Sequence, residues 1–146
     1  MNYSVDLNIL LYSIDTESPH YEKAAAFFPA CLGGDATCYL TWDVLYSFVR
    51  ISTHASIFKF PLTPQAAVSN VASLLAHPRV TALSPSSDSW AIFQRLSGEF
   101  PLRGNLVSDA MAASVLEANG VRKIYTHDRD LWKFSFLKPV DPLSGP

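Results

Sequence analysis

The sequence is poor in charge and has no long run of basic residues. Charged side chains make up 16 % of its 146 residues, and the formal net charge is -2. A protein that binds nucleic acid usually carries a basic face, and this composition gives no sign of one. Clustered acids at a metal site would lower the net charge, however, while bound ions restored positive charge locally. The charge balance therefore weakens the case for a phosphate-containing substrate without excluding one.

Long hydrophobic runs and paired cysteines are also missing. Asp6, Asn8 and Asp15 interrupt the beginning of the chain, which therefore lacks the continuous apolar core of a signal peptide, and no run reaches membrane-spanning length. Cys31 and Cys38 form neither a CxxC pair nor a zinc-like pattern with histidine, so we expect reduced, structural thiols. These features predict a soluble cytoplasmic protein that does not bind a membrane.

Several sequence signatures of well-known enzymes are absent as well. The chain has no Walker A glycine run, no GxGxxG, no GxSxG and no HExxH. The segment Asp6-Leu7-Asn8 lacks the second aspartate that an aspartyl-phosphate phosphatase places two residues after its nucleophile. A phosphatase or phosphoacceptor domain is therefore only a distant third hypothesis.

What the sequence does contain is a regular alternation of short strands and helices. Hydrophobic residues make up 49 % of the chain, enough for a well-filled core, and the length suits one domain, residues 1–146. Such alternation predicts a three-layer α/β/α fold with a short, mostly parallel central sheet of four or five strands. The strands are expected at residues 3–6, 37–41, 80–83 and 123–126, and the longer helices include 64–76, 86–98 and 106–118.

Acidic residues follow the strands at places where the fold would bring them together. Asp6 ends the first strand, Asp109 lies in the predicted first turn of helix 106–118, and Asp128 and Asp130 follow the last strand. Parallel sheets bind ligands beyond the carboxyl ends of their strands, so these acids should converge on one crevice. His127 should point away from them, because side chains alternate along an extended segment.

Each acid also has a purely structural interpretation. Asp6 at a strand-to-helix junction is a common helix N-cap, and Asp109 near a helix start could serve as a dipole partner. Asp128 and Asp130 could cap a short helix over residues 131–134. Taken together, the acids favour a hard divalent cation, Mg²⁺ or alternatively Mn²⁺, which prefers oxygen ligands and suits nuclease chemistry on a phosphodiester.

The same residues form an ordered series of motifs. These are Asp6-Leu7-Asn8-Ile9-Leu10-Leu11-Tyr12, Phe48-Val49-Arg50-Ile51-Ser52-Thr53, Gly104-Asn105-Leu106-Val107-Ser108-Asp109-Ala110 and Thr126-His127-Asp128-Arg129-Asp130-Leu131. In order and spacing the set resembles the PIN-domain ribonucleases of the VapC toxin type, over essentially the whole chain. The resemblance implies a PIN-like fold for residues 1–146.

The resemblance also implies a function and a set of partners. It implies a metal-dependent endoribonuclease toxin that cuts RNA, often a tRNA or a ribosomal RNA loop, and leaves 5′-phosphate and 3′-hydroxyl ends. It further implies homodimerisation and neutralisation by a VapB-type antitoxin.

Roles for single residues follow from the same motifs. Asp6, Asp109 and Asp128 would be the catalytic metal ligands, and Asp130 would be an outer or second-metal acid. Thr126 would supply a supporting hydroxyl, with Asn8 as a polar neighbour.

Ser47 departs from the family pattern, and this departure suggests an alternative function for the protein. Family members commonly have Glu immediately before the Phe that is Phe48 here, and losing that carboxylate should weaken cation binding. Asp43, one helical turn earlier, is offset by about 5 to 6 Å along the axis and could compensate only through a water or a shifted ion. The alternative is therefore a catalytically weak PIN-like module that binds RNA or a protein.

Three further polar residues are candidates for binding RNA. Arg50 lies one turn after Ser47 and could contact a phosphate or pair with a cluster acid. Arg103 and Asn105 precede helix 106–118, whose N-terminus could itself receive an anion.

Overall fold

A parallel sheet runs through the centre of the molecule. The computed structural model describes residues 2–144, and its strands are β1 Tyr3–Val5, β2 Cys38–Thr41, β3 Val80–Leu83, β4 Lys123–Tyr125 and β5 Lys138–Val140. They lie in the order β3-β2-β1-β4-β5, and each neighbouring pair is parallel. The expected four or five mostly parallel strands are thus five strands, all parallel.

Helices connect the strands, and short polar side chains start several of them. The helices are α1 Leu7–Tyr12, α2 Tyr21–Leu32, α3 Trp42–Ser52, α4 Pro64–Ala76, α5 Ser87–Glu99 and α6 Asn105–Ala118, with a 3₁₀ helix at Arg129–Lys133. The side chains of Thr41 and Thr63 accept hydrogen bonds from the first turns of α3 and α4, and Ser86 and Ser89 form a reciprocal capping box on α5. These bonds satisfy backbone N–H groups that a helix start leaves unpaired.

The two faces of the sheet bury separate hydrophobic clusters, which makes the three layers. On one face Val5 and Leu40 pack with Ala24 of α2 and with the partly buried Leu74 of α4. On the other face Ile124 packs against residues of α5 and α6, including Leu96, Ala110, Ala113 and Leu116. Cys31 and Cys38 are free thiols, as expected.

Strand β5 is the element that the sequence did not reveal, because proline normally argues against a strand. Pro139 lies opposite Ile124 on an edge strand, where only one side of the backbone is paired. Its neighbours carry the pairing: the Lys138 N–H donates to the Arg122 carbonyl, and the Val140 carbonyl accepts from the Thr126 N–H. The missing N–H of Pro139 therefore costs no hydrogen bond of the sheet.

The carboxyl ends of β1, β2 and β4 lie side by side in the middle of the sheet. Asp6 follows β1, and its N–H donates to the carbonyl of Tyr125, the last residue of β4. Thr126 follows that residue, so the first and last acidic motifs meet at one sheet edge. Among residues 2–144, no helix combines the length and hydrophobicity that a membrane span requires.

Candidate metal centre

Asp6 lies at the junction of β1 and α1 and uses both carboxylate oxygens. Its Oδ1 accepts from the Leu7 N–H at 2.7 Å, so the predicted N-cap is present. Its Oδ2 accepts from the Thr126 hydroxyl at 2.7 Å. The second bond has no role in capping α1, and it fixes the carboxylate toward the end of β4.

Thr126 connects the acids of the two chain ends. It is 2 % exposed, and its Oγ1 accepts from the Asp128 N–H at 2.9 Å while donating to Asp6. Because an ionised carboxylate can only accept, the single hydroxyl hydrogen of Thr126 points to Asp6, which leaves the hydroxyl oxygen free to accept from the Asp128 N–H. The predicted supporting residue thus holds the Asp6 carboxylate and the Asp128 backbone in one arrangement.

Three of the four predicted acids form a close set. One carboxylate oxygen from each of Asp109, Asp128 and Asp130 lies within 4.8 Å of the other two. Asp130, predicted to be an outer or second-metal acid, belongs to this close set, while Asp6 lies beside it. Asp128 also caps the 3₁₀ helix by accepting from the Asp130 N–H, and Asp130 pairs with Lys133 at 3.2 Å. Capping and clustering therefore coexist.

Asp109 is one residue deeper in its helix than the sequence suggested, just beyond the first turn. Helix α6 begins at Asn105 after Gly104, and no acidic residue occupies its first turn. Gly104 has a φ of 59°, a left-handed conformation that favours glycine and lets the chain turn into the helix. The prediction that Asp109 lies in the first turn was wrong, which removes most of the support for a dipole partner, because that effect fades beyond the first turn.

Burial and the charges of neighbouring acids raise the pKa values of two of the four acids, Asp109 and Asp6. Burial, together with the neighbouring charges of Asp6, Asp128 and Asp130, raises the pKa of Asp109 from 3.8 to about 7. Burial also raises the pKa of Asp6, against the hydrogen bonds from Thr126 and Leu7 that lower it. A cation between these groups would relieve the repulsion, so the donor set suits a hard metal ion.

The surrounding pocket joins the predicted motifs of the first, third and sixth helices, and we call it the acid pocket. Asp43, Ser47 and Arg50 lie along its α3 side, and Asn105 and Ser108 along its α6 side. Burial raises the pKa of Asp43, while the charge of Arg50 lowers it. The acid pocket is lined by Asp6, Leu7, Asn8, Leu11, Asp43, Val44, Ser47, Arg50, Ile51, Asn105, Ser108, Asp109, Ala112, Asp128 and Leu131.

The remaining candidates lie at the margin of the acid pocket or outside it. Asn8 lines it, and its Oδ1 accepts a long bond, 3.4 Å, from the His127 N–H. Arg103 is exposed and does not line the pocket. His127 turns away, as expected, and its Nδ1 lies 2.8 Å from Asp141 Oδ2.

Two features next to the acids were not predicted. Asp141 belongs to the tail after β5, and nothing in its sequence context signals the contact with His127, since β5 itself was not recognised. Trp132 is 62 % exposed on the 3₁₀ helix. The sequence places Trp132 two residues after Asp130, and this spacing could have indicated an aromatic ring next to the acids.

Comparison with known proteins gives this arrangement a family. No protein-family model matches the chain. It is 31 % identical over 145 residues to Ribonuclease VapC48 of Mycobacterium tuberculosis, covering 99 % of this chain and 100 % of that one. It is 32 % identical over 139 residues to Ribonuclease VapC37 of the same species, covering 94 % and 95 %. The chain belongs to the VapC ribonuclease family.

Solved structures agree on the fold of this VapC family member. VapBC2 from Rickettsia felis, bound to a DNA fragment from its promoter, superposes with a TM-score of 0.70 at 16 % identity, covering 97 % and 98 % of the two chains. The sarcin-ricin loop cleaving toxin VapC20 of M. tuberculosis gives a TM-score of 0.67 at 15 % identity, covering 90 % and 93 %. At these identities the likeness establishes the fold alone.

Proposed function

We propose that this protein is a metal-dependent endoribonuclease that hydrolyses RNA phosphodiester bonds. One observation carries the proposal: carboxylate oxygens of Asp109, Asp128 and Asp130 lie within 4.8 Å of one another at the carboxyl end of a parallel sheet. Membership of a family whose relatives are named ribonucleases supports the same chemistry.

The donor set fits Mg²⁺, with Mn²⁺ as a second possibility. Ligand oxygens on opposite sides of a Mg²⁺ ion are about 4 Å apart, close to the spread of this set. Asp109, Asp128 and Asp130 would hold the ion, with Asp6 as a further ligand beside them. A bound ion would activate a water and neutralise charge on the phosphodiester.

The protein's own groups have separate tasks in this proposal. Thr126 keeps Asp6 oriented, because its hydrogen is committed to that carboxylate. Arg50 and Asn105 line the acid pocket and would position an RNA phosphate there. Arg103, exposed outside the pocket, would contact the RNA farther along its backbone.

We further propose the biological setting of a toxin. The substrate would be a tRNA or a ribosomal RNA loop in the cytoplasm, consistent with the sarcin-ricin loop that the structural neighbour VapC20 cleaves. The partner would be a VapB-type antitoxin, as in the VapBC assemblies among those neighbours, and the protein would form a homodimer. Co-purification with the product of an adjacent small reading frame, followed by sedimentation, tests both partners.

The activity is tested by incubating purified protein with total RNA and Mn²⁺, with and without EDTA. We expect fragments with 5′-phosphate and 3′-hydroxyl ends, no cleavage in EDTA, and none by Asp6→Asn. Cleavage that survives EDTA or the substitution would contradict the proposal.

Ser47 supports a second candidate, a catalytically weak module that binds RNA or a protein. Ser47 and Asp43 both line the acid pocket, so the position that lacks the family carboxylate faces the proposed metal site. If the missing carboxylate limits activity, Ser47→Glu will strengthen Mn²⁺ binding and accelerate cleavage. If neither changes, Ser47 is not a defect and this candidate loses its support.

A further inference from the structure

A second pocket lies against the acid pocket, and its side chains differ in kind. It is lined by Thr126, His127, Arg129, Trp132, Asp141 and Ser144, and we call it the Trp132 pocket. The segment 126–129 is the wall between the two, because Asp128 lines the acid pocket while its neighbours on both sides line the Trp132 pocket. A ligand that spanned this wall would reach from the acids to the indole ring.

The 3₁₀ geometry places the two functional side chains of the Trp132 pocket on one face. Residues i and i+3 of a 3₁₀ helix eclipse one another, so Arg129 and Trp132 stand in one row. The next row contains Asp130 and Lys133, which form an ion pair with each other at 3.2 Å between Asp130 Oδ1 and Lys133 Nζ. Among residues 2–144, Arg129 makes no ion pair and the Trp132 ring has no aromatic or cationic partner.

Both carboxylate oxygens of Asp141, the acidic residue that lines the Trp132 pocket, already have partners within the protein. Asp141 accepts from the Leu143 N–H through Oδ1 and contacts His127 Nδ1 through Oδ2. What the pocket offers to a ligand is therefore a cation and a large aromatic face. Unpaired nucleobases stack on aromatic rings, and their phosphates pair with arginine.

We propose that the Trp132 pocket binds an unpaired nucleotide of the RNA next to the scissile phosphate. Trp132 stacks on the base of this nucleotide, and Arg129 contacts its phosphate. The inference rests on the proposed ribonuclease function, since it assigns part of the same substrate. Binding in this pocket favours single-stranded RNA, because a base within a duplex must first be unpaired and unstacked, at a cost in free energy, to reach the ring.

The chain contains a matched control for Trp132. Trp90 is 60 % exposed, almost as much as Trp132, but it stacks on Phe93 of its own helix. It lines a pocket with Val107 and Met111, whereas Ser108 and Asp109 of α6 line the acid pocket. Replacing Trp90 removes a comparable exposed indole away from the acids.

The test measures binding without cleavage. In an Asp109→Asn parent, fluorescence anisotropy follows a labelled, short single-stranded RNA in Mg²⁺, with the same RNA annealed to its complement as the duplex probe. We expect Trp132→Ala to weaken single-strand binding about tenfold, equivalent to about 1.4 kcal/mol, because it removes the stacking of one base. Trp132→Phe should recover most of the affinity, Trp90→Ala should match the parent, and duplex binding should not depend on Trp132.

Arg129 provides an independent check through salt dependence. Arg129→Gln should weaken single-strand binding and lower the slope of log affinity against log salt by about one, as expected for one lost phosphate contact. Circular dichroism of each variant confirms that it is folded.

Several results would overturn the inference. They are unchanged affinity of Trp132→Ala, an equal loss in Trp90→Ala, no measurable RNA binding by the parent, or a change of oligomeric state in Trp132→Ala with RNA affinity intact. The last would assign the pocket to a protein interface. Cleavage by the wild-type protein is scored separately, so its absence would refute the proposed function while the binding result still decided this inference.

Discussion

At the scale of single residues, the carboxyl group of Asp109 sets the electrostatics of the acid pocket. Its pKa of about 7 lies above its ordinary value of 3.8 because burial and three neighbouring acids oppose ionisation. Between these two values the Asp109 carboxyl binds more proton in the folded protein than in the unfolded chain, so its contribution to metal-free stability falls as pH rises and levels off above about pH 7.

This balance predicts that Asp109→Asn stabilises the metal-free protein at pH 8. The gain in the free energy of unfolding should be on the order of 2–4 kcal/mol, and it should shrink as the pH is lowered toward 4. Urea unfolding in EDTA at several pH values measures it. Asp88→Asn, an exposed acid on α5, is the control and should shift stability by less than about 1 kcal/mol. A gain that did not vary with pH would argue against this explanation.

Thr126 gives a second prediction for a single residue. Thr126→Val removes the donor to Asp6 Oδ2 and the acceptor of the Asp128 N–H. Leaving these groups unpaired should cost about 1–3 kcal/mol of unfolding free energy and impair cleavage. Thr81→Val, the same change at an exposed position of β3, should be nearly neutral by thermal unfolding, and equal losses in both variants would contradict the special role of Thr126.

At the scale of elements, the junction between β1 and α1 combines capping with the proposed metal site. Asp6→Asn keeps an oxygen that can accept from the Leu7 N–H, so helix α1 should remain capped. We expect its unfolding free energy to stay within about 1 kcal/mol of wild type, while Asp6→Ala loses about that much through the missing cap.

Activity separates the two roles of Asp6. Both Asp6 variants should lose Mn²⁺-dependent RNA cleavage, because both lack the charge. If Asp6→Asn cleaved RNA at the wild-type rate while Asp6→Ala did not, Asp6 would be a cap and nothing more.

Elements also show where sequence reasoning succeeds. Helix α4 begins at Pro64 as predicted, because a threonine cap and a proline in the first turn are local signals. Strand β5 was missed because Pro139 is compatible with a strand only at an edge, and edge position is a property of the whole sheet. The start of α6 was placed one residue late, since the left-handed Gly104 that precedes it makes no side-chain cap.

At the scale of the whole molecule, the sequence predicts that distant acids converge on one site, but it does not predict which of them lie closest together. Parallel topology alone brings Asp6, from the start of the chain, to Thr126 near its end. The close packing of Asp130 with Asp109, and the contact of His127 with Asp141, depend on how α6 and the tail pack on the sheet. Single-chain spacing contains no such information.

A cation that offsets the pocket's negative charge should stabilise the whole fold. We predict that Mg²⁺ raises the melting temperature of the wild-type protein above that in EDTA. A ligand at one hundred times its dissociation constant adds about 2.7 kcal/mol. Mg²⁺ should raise the melting temperature of Asp109→Asn by less than that of the wild-type protein. Equal increases in the two proteins would place the bound ion elsewhere.

The most direct test of the central claim is the rate of cleavage of one RNA as Mn²⁺ is titrated, measured for the wild-type protein and Asp128→Asn side by side. We predict that the wild-type rate rises from zero and saturates, and that the Asp128→Asn rate falls by about a hundredfold or more, as for the loss of a key transition-state interaction. Equal rates for the two proteins, or a wild-type rate that does not depend on Mn²⁺, would contradict a metal-dependent ribonuclease built on these acids.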